Sequence, residues 1–202
     1  MDIGPDNKSV EITGRDVLYQ GHYQANRYRL RHSLFAGGVG QEITREVFER
    51  GHAVAVLPYD PRRDEVVLIE QFRIAPQLAG DDPWMLEIVA GLIEPGEAVE
   101  DVARREAKEE AGLDLQQLLE IARFYTSPGA ITEHVTLYCG LVDASEADGI
   151  HGVEAEGEDI RVRRLAFAEV PALFAGGLLK NTPILIALQW LLLHRDRLRG
   201  ET

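Results

Sequence analysis

Three glutamates, an arginine and a lysine occupy six consecutive positions, 105–110, reading REAKEE. Carboxylates this dense can form a solvated helix face, pair with cations of the chain, or supply oxygen ligands to a hard divalent ion. Their angles on a helix separate these roles. With Val99 at zero and about 100° per residue, Val102, Ala103 and Ala107 make an apolar stripe from roughly 300° to 80°. Asp101, Arg104, Arg105 and Lys108 fall between about 140° and 240°, on the wet side. Glu106, near roughly 340°, and Glu110, near about 20°, lie inside the apolar stripe, with Glu109 at its border near about 280°. Like charges one turn apart repel, and an unpaired buried carboxylate costs several kcal/mol. Something positive must compensate. Arg105 stands four residues before Glu109 and can hold it, but points away from the other two. The wheel leaves two readings open for Glu106 and Glu110: a site for Mg²⁺ or Mn²⁺, or an ion-paired structural face.

The elements around this helix must place it against a core. Residues 1–48 read as short alternating strands with one wet face, in "VEITG", "RDVLYQG", "RYRLRHSLF" and "GQEITREVFER". Richer apolar runs follow, "GHAVAVLPYD" and "DEVVLIEQFR", which predict a hairpin over "DPRRD". A loop, "IAPQLAGDDP", leads to a strand in "WMLEIVAG" that ends at glycine. The helix that carries REAKEE stops at Gly112. Strands are predicted at "IARFYTS", "EHVTLYCGLVD" and "DIRVRRLAF", a short helix at Glu169 to Ala175, and a long one capped by Thr182 with Pro183 at its first position. Strands with few, separated helices give an α+β class, a sheet with helices packed on it. Domains are expected at 1–48, a β-strand region, and 49–202.

Charge and composition narrow the function classes. A net charge of -13 argues against nonspecific nucleic-acid or anionic-membrane partners, which require a basic surface. It leaves room for a phosphate-bearing substrate where divalent metal intervenes. The single cysteine, Cys139, excludes a disulfide framework and a cysteine-rich zinc site, and its strand context predicts a buried thiol. The first residues lack a signal-peptide pattern, and "ILIALQWLLL" is too short and too interrupted to span a membrane. A cytoplasmic location is the expectation.

The spacing around the helix carries more. From Gly91 the chain runs five residues to Glu97, seven more to Arg105, then R-E-A-K-E-E-A-G-L through Leu113. Every position matches the signature of the Nudix hydrolases, and the chain resembles that family. The resemblance implies an α/β/α sandwich with a small N-terminal antiparallel β-sheet domain, and Mg²⁺-dependent cleavage of a nucleoside diphosphate linked to another group. It implies Glu106 and Glu110 as metal ligands with Glu109 close by, the Ala90 carbonyl as a further ligand, and Glu97 as a brace for the loop.

Similarity extends from Gly21 to His194, and is strongest to the bacterial ADP-ribose pyrophosphatases of that family. It is carried by "PWMLEIVAGLIEPGE", "SPGAITE" with Pro128 downstream of the signature, "GIHGVEAEGEDIRV" and "NTPILIALQWLLLH". This likeness implies hydrolysis of ADP-ribose to AMP and ribose 5-phosphate. It assigns Glu156 as the base that activates water and Glu158 as a metal ligand, both on a mobile loop. Substrate contacts are implied for Arg45, Glu46, Arg50, Arg73, Leu92, Ser127, Pro128, Gly129 and Glu133, with His22 or Tyr23 against the adenine. A homodimer that exchanges its N-terminal strands is implied as well. The alternatives are the same chemistry on another nucleoside diphosphate sugar, and an ADP-ribose-binding domain without catalysis, against which the intact glutamates count.

Overall fold

The computed structural model describes residues 8–200, and these divide into two compact units. One comprises the N-terminal residues through Gly51 together with Tyr125–Glu133; the other holds His52–Phe124 and the chain from His134 onward.

The first unit is a three-stranded antiparallel sheet of β1 (Val10–Gln20), β2 (Gln24–His32) and β3 (Ile43–Glu49), in that order. The two strands expected in "VEITG" and "RDVLYQG" are one, because register shifts at Ile12/Gly14 and Val17/Tyr19 absorb the irregular pattern as bulges. The 125–133 segment joins this unit through main-chain bonds on both sides of Phe48: its N–H donates to the Ala130 carbonyl (2.7 Å), and its carbonyl accepts from Thr132 (3.1 Å). Among the described residues, the buried side chains of this unit are polar, Asn26 and Glu133, and none of the buried apolar residues belongs to it.

The second unit is built on a larger sheet. Its strands are β4 (His52–Asp60), β5 (Glu65–Phe72), β6 (Trp84–Glu87), β7 (Val89–Ile93), β8 (Gln117–Tyr125, whose last residue belongs to the other unit), β9 (His134–Leu141), β10 (Ile150–His151) and β11 (Ile160–Ala166). The order is β10-β11-β5-β4-β9-β8, and β4 runs parallel to β9. The expected hairpin of β4 and β5 survives for two pairs, Tyr59 with Val66 and Asp60 with Glu65. Beyond them the strands part. The "WMLEIVAG" segment fills the gap as two strands rather than one: β6 pairs with β5, and β7 pairs with β4 past the glycine, as far as Ile93. The preceding loop also contains a short helix, α1 (Ile74–Leu78).

Alternation along β4 sends Val54 and Val56 to one face and Ala55, Leu57 and Tyr59 to the other. Helix α2 (Val99–Ala111) covers the first face with Val102, Ala103, Ala107 and Ala111, whose small side chains permit close approach. It ends where predicted, with Gly112 in the left-handed region at φ 68°. A short helix, α3 (Val170–Ala175), precedes α4 (Thr182–Arg199), which covers the opposite face with Ile184, Ala187, Leu188 and Leu191. The cap of α4 is Asn181 and not Thr182: Asn181 Oδ1 accepts the Ile184 N–H at 3.2 Å, so helical geometry begins one residue earlier than expected. Cys139 is buried among apolar neighbours, and burial pushes its thiol up to about 12. Among the described residues no helix is long and apolar enough to cross a membrane.

Candidate active site

The parting of β4 and β5 puts Ala90 and Gly91 of β7 beneath α2. A Cβ built on Gly91 would lie 1.8 Å from Glu106 Oε1 and 2.4 Å from its Cγ, so only glycine leaves room for the Glu106 side chain in this position. One residue earlier, the Ala90 N–H donates to Glu110 Oε2 at 2.9 Å. Glu110 is 2% exposed. Burial pushes its carboxyl up to about 8; the Ala90 N–H pulls the other way, Glu106 and Glu158 add to the rise, and Arg73 opposes it. Burial likewise raises Glu106 to about 7, against the pull of Arg105 and with the push of Glu109 and Glu158. Two glutamates of the REAKEE run thus lie inside, as their angles required.

Arg105 does more than the wheel allowed. It holds Glu109 (Nη1–Oε2 2.9 Å) as expected, but the same nitrogen lies 2.8 Å from Glu106 Oε1. The long side chain folds back along the helix, which a wheel of Cα directions does not represent. Glu97 lies 3.8 Å from Arg105 Nε and accepts the Glu94 N–H at 2.8 Å, a position that ties down the loop before α2.

Glu156 and Glu158 sit beyond β10. Glu156 ends a 3-10 turn, Glu154–Glu156, and is exposed, while Glu158 Oε2 accepts the Val153 N–H at 2.9 Å. Arg73 meets Glu87 Oε2 through Nε (3.1 Å) and Nη2 (2.9 Å), and Gln71 donates to the same oxygen at 3.1 Å. Leu92 stands on β7 opposite Ala53. Among the described residues no three His, Cys, Asp or Glu side chains are gathered to hold a metal ion as they stand. Each carboxylate is engaged locally instead, Glu110 with Ala90, Glu106 with Arg105 and Glu158 with Val153. The donor set nevertheless suits a hard divalent cation. It is all oxygen, and burial together with repulsion from neighbouring carboxylates already raises Glu106 and Glu110, a penalty that a cation would relieve.

The other unit groups a second set of the predicted residues. Arg50 Nε lies 3.2 Å from Glu133 Oε1, and its guanidinium sits 5.2 Å from the Tyr23 ring centroid. Tyr23 contacts His22 edge-on at 4.4 Å and Phe48 at 5.4 Å. Ser127, Pro128 and Gly129 form a turn closed by the Ala130 and Ile131 N–H groups on the Ser127 carbonyl (3.1 and 2.9 Å). Pro128 and Gly129 line a cavity of about 320 Å³ with Val47, Tyr125 and Ala130–Thr132. Arg45 and Glu46 lie elsewhere on β3. Arg45 donates to the adjacent Thr44 carbonyl (2.8 Å), and Glu46 accepts from Arg27 (2.8 Å).

Sequence reasoning missed Glu87, which gathers Arg73, Gln71 and Asn181. Its signal was available: a carboxylate among the apolar residues of "WMLEIVAG", with Arg73 as a nearby cation. The fastening of the Glu156 loop to α2, through the Gly152 N–H and the Glu109 carbonyl, had no such signal.

Comparison with known proteins gives this arrangement a family. The NUDIX domain profile matches residues 49–183, more than half of the chain. The ADP-ribose pyrophosphatase of Escherichia coli K12 is 48% identical over 206 residues, covering 98% of this chain and 99% of the relative. That of Haemophilus influenzae is 40% identical, covering 95% and 90%. The GDP-mannose pyrophosphatase of Cronobacter sakazakii is 37% identical over 152 residues, covering 74% and 78%. A crystal structure of an ADP compounds hydrolase superposes with a TM-score of 0.71 at 18% identity, covering 98% of this chain and all of that one, which speaks for the fold. The chain is a member of the NUDIX domain family.

Proposed function

We propose that this protein hydrolyses the pyrophosphate of ADP-ribose to AMP and ribose 5-phosphate, with Mg²⁺ as its metal and Mn²⁺ as a substitute. The observation that carries this reading is 48% identity, end to end, with relatives named for that activity. Of the α2 carboxylates that such chemistry needs, Glu110 is buried and Glu106 partly so.

Glu106, Glu110 and Glu158, with the Ala90 carbonyl, would hold the metal, and Glu109 stands beside them. Bound there, a divalent ion neutralises phosphate charge and lowers the pKa of water. Glu156 is the general base: it takes one proton from a water whose oxygen forms a new bond to phosphorus as the bridging P–O bond breaks. Its exposure suits a base that meets substrate only when its loop closes. Arg73, braced by Glu87, presents a fork of donors to phosphate or ribose oxygens; Arg50 does the same in the other unit, where Glu133, paired with Arg50, is an acceptor for substrate hydroxyls. Tyr23 and His22 offer aromatic faces to adenine. Leu92, Ser127, Pro128 and Gly129 complete the substrate surface, with Arg45 and Glu46 serving the partner's site.

We infer a homodimer from the makeup of the first unit. Its described residues include no buried apolar side chain, while Val10 (68%), Ile12 (62%), Tyr19 (61%) and Phe35 (95%) are exposed. A three-stranded sheet of this kind is marginal alone, and a second copy that exchanges strands would cover it. A monomeric variant should lose substrate affinity along with the interface. We place the enzyme in the cytoplasm.

The test is a panel of ADP-ribose, ADP-glucose, GDP-mannose, NADH and diadenosine polyphosphates with Mg²⁺, compared by kcat/KM. ADP-ribose should lead. Preference for GDP-mannose, the substrate that names the 37% identical relative, would move the assignment to that sugar nucleotide. Binding without turnover of any compound would make the chain a sensor.

A further inference from the structure

The loop that carries Glu156 and Glu158 is fastened to the C-terminal end of α2. Helices leave their last carbonyls unpaired, and each must find a donor. Here the Ala107 carbonyl accepts from Leu113 N–H (3.0 Å) and the Lys108 carbonyl from Gly112 N–H (3.0 Å), both within the local chain. The Glu109 carbonyl is satisfied from a distance, by the N–H of Gly152 at 3.1 Å. The neighbour of Gly152 supplies a second attachment. The His151 ring lies over Gly112, where an added Cβ would meet its Cε1 at 2.8 Å and its Nδ1 at 3.4 Å. The ring is itself oriented, because Nε2 lies 2.8 Å from the Asp148 carbonyl and must donate to it. Its backbone pairs with Ile160 of β11.

Beyond these two attachments the loop is braced on itself. Val153 N–H donates to Glu158 Oε2 (2.9 Å), and the Val153 carbonyl accepts from Glu156 N–H (2.9 Å). Gly152 has φ 105°, and a Cβ there would approach the Glu158 Cβ to 2.7 Å, so both its backbone and its space require glycine. A segment tied internally at 153–158 is held at one end by 151–152 and at the other by Ile160, which pairs with His151 itself. Where His151 sits therefore decides where the two glutamates sit.

We propose that His151 is a positioning residue for hydrolysis: its ring, seated on Gly112, docks the 152–158 turn onto the helix that carries Glu106 and Glu110. This rests on the roles given above to Glu156 and Glu158. The ring touches no reacting atom. It acts by limiting the positions open to the turn, so its loss should lower kcat far more than it changes KM.

The test uses the full chain with His151→Ala and His151→Phe, assayed on ADP-ribose with Mg²⁺ well below each variant's Tm. His151→Ala should lower kcat about tenfold and leave KM within twofold, and the Gly152 and Val153 amides should lose at least tenfold of their hydrogen-exchange protection. His151→Phe keeps a flat ring over Gly112 without the bond to Asp148, and should recover part of both losses. A His151→Ala enzyme with kcat and Gly152 protection both within twofold of wild type would overturn the proposal. So would a fall in kcat with unchanged exchange at Gly152 and Val153. Glu156→Gln and Glu158→Gln separate this proposal from the reading beneath it. If both keep wild-type turnover, the catalytic roles of the turn fail, and the proposal with them. If either loses turnover while His151→Ala does not, His151 alone is misassigned.

Discussion

Gly91→Ala tests whether the approach of α2 to β7 is what holds the site. The new Cβ would fall 1.8 Å from Glu106 Oε1, 2.1 Å from its Cδ and 2.4 Å from its Cγ. Three overlapping atoms, one of them Cγ, cannot be relieved by turning the carboxylate alone, so the whole Glu106 side chain must leave. Overpacking of this kind costs about 1–3 kcal/mol. A small added loss and a larger relief leave the net value toward the lower end. The lost Arg105–Glu106 pair is partly solvated and contributes under about 1 kcal/mol, and Glu106, which burial has raised to about 7, regains hydration outside. We expect about 1–2 kcal/mol, a fall in Tm of roughly 2–8 °C for a chain of this size. Activity should suffer out of proportion, because the displaced group is a proposed metal ligand: kcat/KM at fixed Mg²⁺ should drop about 100-fold or more, with a rise in the Mg²⁺ needed for half activation. The assay is a Mg²⁺ titration beside a melting curve, for Gly91→Ala, Glu106→Ala and the double variant. If the clash is the cause, the double variant should melt near Glu106→Ala, since removing the side chain removes the overlap. Additive losses in Tm would refute the steric argument, and wild-type Mg²⁺ dependence in Gly91→Ala would refute the role of Glu106.

Three further outcomes are expected. Glu156→Gln should slow turnover about 10²–10⁴-fold while ADP-ribose binding, measured by calorimetry, stays within a few-fold. Arg50→Ala or Glu133→Gln should raise KM for ADP-ribose about tenfold with a smaller effect on kcat, each partner losing its 3.2 Å contact. Asp64 accepts from Arg195 (2.8 and 2.6 Å) and from the Tyr59 hydroxyl (2.8 Å), and the Arg195 bonds lead in holding its carboxyl below the ordinary range. A depressed folded-state value gives stability that is present above the unfolded pKa and lost as pH falls through the folded one. Asp64→Asn should therefore cost about 1–2 kcal/mol in urea unfolding at pH 7, and the gap to wild type should close as the pH falls below the ordinary aspartate range and through the lowered folded-state value.

The site was legible to the extent that it obeys periodicity. Glu106 and Glu110 betrayed themselves because a 3.6-residue repeat put charge where the core had to be, and the helix stop followed from Gly112 alone. Arg105 reaching Glu106 was not legible, since a wheel places Cα–Cβ directions and says nothing about a flexible stem. The β4–β5 hairpin was read from two apolar runs and a turn, which is sound chemistry for the two pairs that form. That the strands then part to admit β6 and β7 depends on contacts between segments distant in sequence, which local pattern does not encode. Thr182 and Asn181 are both good caps, and the choice between them turned on which oxygen reaches the Ile184 N–H.

The parallel pairing of β4 with β9 sets an order of events during synthesis. Ala53 pairs with Val135, and Phe48 bonds to residues 130 and 132, so both units wait for the same late stretch of chain. Closing a loop of this length costs roughly 4 kcal/mol in chain entropy before any contact forms. At about 5–20 residues per second the nascent strands β3 and β4 remain without these partners for on the order of 10 s. Their edges and apolar side chains are open to association throughout that interval. Slowing elongation between residues 60 and 130 would lengthen the exposure, and the yield of native enzyme should be more sensitive there than after residue 135.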